Sequence, residues 1–182
     1  MNRKRNGLTA RELAIFGVLA ALMFAGKKAL EFLPNVHPLG IMIVAMTVVY
    51  RAKALFPIYT YVMIEGAACG FATWWLPYLY LWAVLWGMTM LIPQKIHPGK
   101  WGKEKGSKWA PLIYGTVCAL QGFLFGTLYA PAQAVLFHLN WKAMIAWIVA
   151  GLPFDAVHGV SNFILGVFLI YPIVRIIKRF GT

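Results

Sequence analysis

The sequence predicts an all-α integral membrane protein, a bundle of six transmembrane helices with both termini cytoplasmic. Three observations predict it. Of 182 residues, 61% are hydrophobic and 12% charged, about half the charged share of an average soluble domain. Several apolar stretches approach the roughly 20 residues that a helix needs to cross about 30 Å of hydrocarbon. The basic residues are concentrated in alternate connections, the pattern that cytoplasmic loops show. The apolar runs lack the alternation of an outer-membrane barrel.

Taken in order, the predicted crossings are 12–33, 36–50, 54–73, 74–92, 111–130 and 154–175, with an extra apolar piece at 132–150 broken by turn signals. The second is the shortest. Its clearly apolar part, Leu39 to Tyr50, spans 12 residues, about 18 Å at the helical rise, which leaves a re-entrant reading open. Charge placement favours a full crossing. With six crossings, Arg3, Lys4, Arg5 and Arg11, then Arg51 and Lys53, then Lys95, Lys100, Lys103, Lys105 and Lys108, then Arg175, Lys178 and Arg179 share one face. That face holds 14 of the 17 basic residues. A re-entrant second segment would split them between both faces.

The net charge of +12 then reads as topology and as attraction to anionic headgroups. It does not read as a nucleic-acid surface, because the cations are dispersed over several loops. The N-terminal run resembles a signal peptide, but it is of spanning length and Lys27 and Lys28 interrupt the place of cleavage, so mature structure is expected. Cys69 and Cys118 fall inside predicted helices without metal-ligand spacing; buried thiols and no metal site are expected. A single membrane domain, 1–182, accounts for the chain, with 93–110 a basic cytoplasmic loop.

The irregular features cluster on the outer side. Pro34 and Pro38 bracket the first outer turn, Pro77 follows Trp74 and Trp75, and Pro131 and the break at Gly151, Leu152 and Pro153 flank the third. Non-helical backbone at membrane depth is tolerated where protein or a water-filled cavity satisfies it, so an outward-facing vestibule is expected. On the first segment, Gly17, Ala21, Ala25 and Ala29 recur every fourth residue and form one ridge of minimal side chains, along which a partner helix can approach closely. Packing against another helix of the same chain is the alternative.

Charges within hydrocarbon are costly, about 2.5–3.5 kcal/mol each on insertion scales, and mark candidate sites. Lys27, Lys28, Glu31, Glu65, Asp155 and His158 all fall in the outer half. Asp155, His158 and Asn162 lie three and four apart on one face expected to look inward. Lys27 and Glu31 have the i,i+4 spacing of a helix-end ion pair, and a buried structural network is the rival reading for Glu65, Asp155 and His158. Trp74, Trp75, Tyr78, Tyr80 and Trp82 cover too many directions of one helix to be an interfacial belt alone, so some are expected to line a pocket, with Tyr129 and Gln133 at its rim. Asp155, His158 and Ser161 have the residue types of a hydrolytic triad, yet triad members normally converge from separate elements and no nucleophile elbow is present. No phosphate-binding P-loop occurs, since Gly99 and Lys100 are followed by Trp101, so the chain carries no recognisable means of hydrolysing ATP.

Together these features resemble the substrate-binding S-component of energy-coupling factor (ECF) vitamin transporters, over the whole chain. The Ala-x-x-x-Ala element of that family matches Ala21 and Ala25. The runs 74–82, 129–134 and 151–162 look like those of a subgroup with cobalamin-transporting members. The resemblance implies a non-catalytic subunit of the bacterial plasma membrane that captures a vitamin, cobalamin first, at its outer face. It implies docking through Gly17, Ala21, Ala25 and Ala29 onto a transmembrane T-component coupled to two ATPases. Those partners use ATP and Mg, and no cofactor is expected in this chain. The substrate-binding residues it implies are Lys28, Glu31, Glu65, Trp74, Trp75, Tyr78, Tyr129, Gln133, Asp155, His158 and Asn162. Another vitamin, a queuosine precursor, or a stand-alone secondary transporter are the alternatives.

Overall fold

A computed structural model describes residues 7–98 and 107–181; the expectations for Arg3, Lys4, Arg5, Lys100, Lys103 and Lys105 lie outside the described residues. Among these the regular elements are helices: α1 (Ala10–Ala29), α2 (Leu39–Tyr50), a 3-10 turn (Arg51–Ala54), α3 (Leu55–Cys69), α4 (Tyr78–Met90), α5 (Ala110–Phe123), α6 (Phe125–Leu136) and α7 (Trp141–Gly181).

Local chemistry sets the boundaries. Thr9 and Glu12 form a reciprocal capping box that satisfies orphan amides at the start of α1, the usual use of this residue pair. Pro38 precedes α2 and Pro77 precedes α4, positions where a missing amide proton costs nothing. Gly70, at φ 93, ends α3 in a conformation that side chains disfavour. Arg51 adopts φ 54 at the end of α2, and there the chain turns back on itself.

Contacts between helix ends give the course of the chain. Phe16, near the start of α1, meets Tyr50 at the end of α2, with ring centroids 4.9 Å apart, while Gly26 near the end of α1 faces Pro38. Hence α1 and α2 are antiparallel. Lys53 pairs with Glu12 at 2.6 Å at one end and Lys27 with Glu65 at the other, so α3 runs parallel to α1. At the first of these ends Arg51 donates to Met90 O, Arg11 to Phe180 O and Tyr114 to Ile96 O. This end gathers the starts of α1, α3 and α5 and the ends of α2, α4 and α7.

The tightest seam joins α5 to α7. Gly115 lies against Gly166 and Gly122 against Gly159, an antiparallel register that continues into α6, where Gly126 lies against Asp155. Small residues allow this approach where lipid supplies little hydrophobic force between helices. On α1, Phe16, Ala20 and Met23 are buried, a stripe of helical period that turns to the core.

Three helical stretches, Leu39–Cys69, Ala110–Leu136 and Trp141–Phe180, are long and apolar enough to cross a membrane, as a membrane protein requires. The first contains the reversal at Arg51, so its length is divided between α2 and α3. Two expectations are corrected. Pro131 lies inside α6, and Gly151, Leu152 and Pro153 lie inside α7, so the interruptions fall at Leu124 and 137–140 instead. Proline is accommodated within such helices where neighbouring groups satisfy the freed carbonyl. Cys69 is exposed, being the last residue of α3, whereas Cys118 is buried.

Candidate functional site

The half of the bundle opposite the Glu12–Lys53 pair holds a cluster of polar and aromatic side chains contributed by α1, α2's approach, α3, α4, α5, α6 and α7. On α7, Asp155, His158 and Asn162 are buried while Phe154, Val157 and Val160 are exposed, as the three-four spacing requires of a face turned inward. Their roles differ. Both carboxylate oxygens of Asp155 accept from Gly126 N at 3.0 Å, placing an anion at the N-terminus of α6 where the unpaired amides and the helix dipole favour it. Asn162 donates to Cys118 O at 3.4 Å and packs on Gly40. The His158 ring lies 4.9 Å from that of His37 and 5.0 Å from that of Phe125.

Aromatic rings continue from there. Trp82, 1% exposed, touches Tyr78, Phe125, Tyr61 and His37 at centroid distances of 5.5–6.4 Å. Phe125 stacks on Tyr129, and Tyr129 on Trp147. The Tyr129 hydroxyl donates to Trp74 O at 2.8 Å, tying α6 to the segment before α4. Tyr80, on α4 itself, donates its hydroxyl to Leu128 O of α6 at 2.7 Å. The Trp75 indole donates to Val62 O and its ring packs over Gly66 beside Phe71; it anchors the loop to α3. Trp74, Trp75, Tyr78, Trp82 and Tyr129, rings expected to line a vestibule, are therefore each packed against another aromatic ring.

Charge enters at the edge. Lys27 pairs with the buried Glu65 and stands 5.3 Å from the Tyr78 ring centroid, a cation–π geometry. The helix-end pair expected between Lys27 and Glu31 forms instead between Lys28 and Glu31, at 2.8 Å on an exposed rim. Lys28 and Glu31 are thus placed apart from the cluster, and Gln133 is half-buried on α6.

Buried polar atoms without a hydrogen-bond partner among the described residues concentrate here. They include both ring nitrogens of His158, both amide atoms of Gln121, Asn162 Oδ1, Trp82 Nε1, Tyr61 Oη and Glu65 Oε2. Buried polar groups are normally satisfied, so each such group needs an explanation. Apart from the Glu65 carboxylate, these are amide, imidazole, indole and hydroxyl groups beside aromatic faces, which suit a planar, amide-bearing or heterocyclic ligand. Ser161 donates to backbone carbonyls of His158 and Asn35 at 3.0 and 3.2 Å. Among the described residues, no group of three or more His, Cys, Asp or Glu is placed to hold a metal ion.

The sequence reading omitted His37, Tyr61, Gln121 and Phe125, and gave Lys27 no place in the binding set. Two signals were present. Gln121 is a polar residue near the end of an otherwise apolar helix, and Tyr61 precedes Glu65 by one turn on the same face. Away from the cluster, Gly17, Ala21, Ala25 and Ala29 are all exposed. The chain matches no protein-family profile, no curated protein and no solved structure.

Proposed function

We propose that this chain is the substrate-capturing S-component of an ECF-type importer, a non-catalytic, six-span subunit of the bacterial plasma membrane with both termini cytoplasmic. The observation that carries the reading is the outer surface of α1. Gly17, Ala21, Ala25 and Ala29 stand exposed on it, while the same helix buries Phe16, Ala20 and Met23 against the bundle. Such a strip lets a transmembrane T-component approach closely. Two ATPases bound to that partner supply the energy through ATP and Mg. The alternation of helix ends supports six crossings, α1, α2, α3, α4, the α5–α6 pair and α7, although α2, α3 and α4 each have fewer than 20 residues.

The captured ligand is a vitamin, with cobalamin the first candidate. Its peripheral amides would meet Gln121, Asn162 and His158, and binding requires Trp82, Phe125 and Tyr129 to separate. A second reading, a smaller nucleobase-like vitamin or queuosine precursor, is favoured by the mutual contact of those rings, since one planar heterocycle displaces fewer of them. A panel of vitamins and nucleobase-like compounds offered to the purified chain without ATP separates these ligands. Saturable binding of one compound at nanomolar to low micromolar concentration is expected. Uptake driven by an ion gradient into liposomes holding this chain alone would instead establish a secondary transporter.

A further inference from the structure

Lys27 and Glu65, joined between α1 and α3, stand in an aromatic corner of the cluster. The Lys27 ammonium lies 5.3 Å from the Tyr78 ring centroid. Trp82 meets the rings of Tyr78 and Tyr61 at centroid distances of 5.5 and 6.4 Å, and Tyr61 precedes Glu65 by one turn of α3. A carboxylate beside linked aromatic rings is the chemistry that holds an organic cation. One such cation is already in place, the side chain of Lys27.

That occupant leaves the corner half used. Lys27 reaches Oε1 of Glu65, whereas Oε2 and the Tyr61 hydroxyl have no hydrogen-bond partner among the described residues. Glu65 is 2% exposed and Tyr61 0%, so both are placed where a polar group needs a partner. Lys27 itself is 22% exposed and lies near the end of α1. Its flexible stem can carry the ammonium out to the rim, where the exposed Glu31, four residues on, offers a second carboxylate.

Charge decides what can enter. An anionic ligand recruits Lys27 only by stranding Glu65 as a buried carboxylate without its partner, which is strongly destabilising. A ligand ammonium exchanges with Lys27 like for like. Glu65 then stays paired, its second oxygen and the Tyr61 hydroxyl gain donors that Lys27 does not bring to them, and Lys27 regains water.

We propose that this corner is an organic-ammonium site, which Lys27 fills in the unliganded protein and yields to the ammonium group of a ligand. The inference rests on the reading of the cluster as a capture site, and it narrows the smaller ligand class given there to a heterocycle that carries an ammonium. The test titrates the purified full chain in neutral detergent at neutral pH with benzylamine, which is cationic there, and with benzyl alcohol and benzoate as its neutral and anionic counterparts, by isothermal titration calorimetry.

Benzylamine should bind saturably and more tightly than either counterpart. Lys27→Ala removes the resident competitor, so it should bind benzylamine about tenfold more tightly. Lys142→Ala, an exposed lysine at the start of α7, should leave binding unchanged. Tyr78→Leu keeps the Lys27–Glu65 pair and should weaken binding about tenfold, the worth of a desolvated cation–π contact; it keeps the test valid if Lys27→Ala fails to fold. Equal binding of benzylamine and benzyl alcohol, or binding by Lys27→Ala that is unchanged or weaker, would overturn the proposal. A chain that binds a compound of the vitamin and nucleobase panel but not benzylamine loses the ammonium site and keeps the capture reading. One that binds benzylamine as described but nothing in that panel loses the capture reading and keeps the ammonium site.

Discussion

Two stripes of small residues run through this molecule and face opposite surroundings. On α1, Gly17, Ala21, Ala25 and Ala29 stand exposed, and a Cβ added at Gly17 would meet nothing within 4 Å. On α5 and α7, a Cβ at Gly122 would lie 2.8 Å from the Gly159 backbone, and one at Gly166 would lie 2.6 Å from Gly115 Cα. Close spacing of small residues makes a flat helix surface, and only what lies opposite decides its use. The α5–α7 stripe is consumed in holding this chain together. The α1 stripe has the same capacity with no helix of the described chain set against it.

Substitutions can break or sharpen that contrast, and the largest effect should come from the covered seam. Gly122→Val forces backbone apart from backbone, which no rotamer change relieves, and should cost about 3 kcal/mol or more. Reversible unfolding in mixed micelles by increasing denaturing detergent measures it, with Gly17→Val as the matched change in open space. Next, Glu65→Leu removes the partner of Lys27 and should cost about 2 kcal/mol, while adding Lys27→Met should recover most of the loss, since a buried pair replaced as a unit is often neutral. The same unfolding assay, run as a double-mutant cycle, reads the coupling.

A smaller loss, about 1 kcal/mol, is expected for Gly126→Ala. Its Cβ would lie 2.5 Å from Asp155 Oδ2, so the carboxylate must swing away and the N-terminus of α6 loses its anion. Amide hydrogen exchange should then show faster opening confined to the first turn of α6. The smallest effect on stability belongs to the exposed stripe: Ala21→Leu should change unfolding by no more than about 0.5 kcal/mol, the usual range for surface substitutions away from special features.

Helical class was legible because it rests on apolar length and period, which composition carries directly. The inward face at Asp155, His158 and Asn162 was legible for the same reason: spacings of three and four fix a direction on a helix wherever that helix packs. Lys27 was not. Its i,i+4 relation to Glu31 is a local option, and the structure instead gives it Glu65, 38 residues away on α3, a partner that only tertiary packing brings near. Pro131 and Pro153 misled as breaks because proline inside a helix is a penalty that packing can absorb, not a prohibition. His37 escaped notice between Pro34 and Pro38, where no periodicity indicates which way a side chain turns. The seam of Gly115, Gly122, Gly159 and Gly166 was as visible in the sequence as the α1 ridge, but spacing alone does not say which stripe is covered.

Ala21→Leu, followed with one radiolabelled vitamin, tests the central claim most directly. Ligand binding to the isolated chain should be unchanged, whereas uptake by cells that also express the T-component and both ATPases should fall to background. Loss of ligand binding by the isolated variant, or full uptake despite the leucine, would contradict a docking role for the bare face of α1.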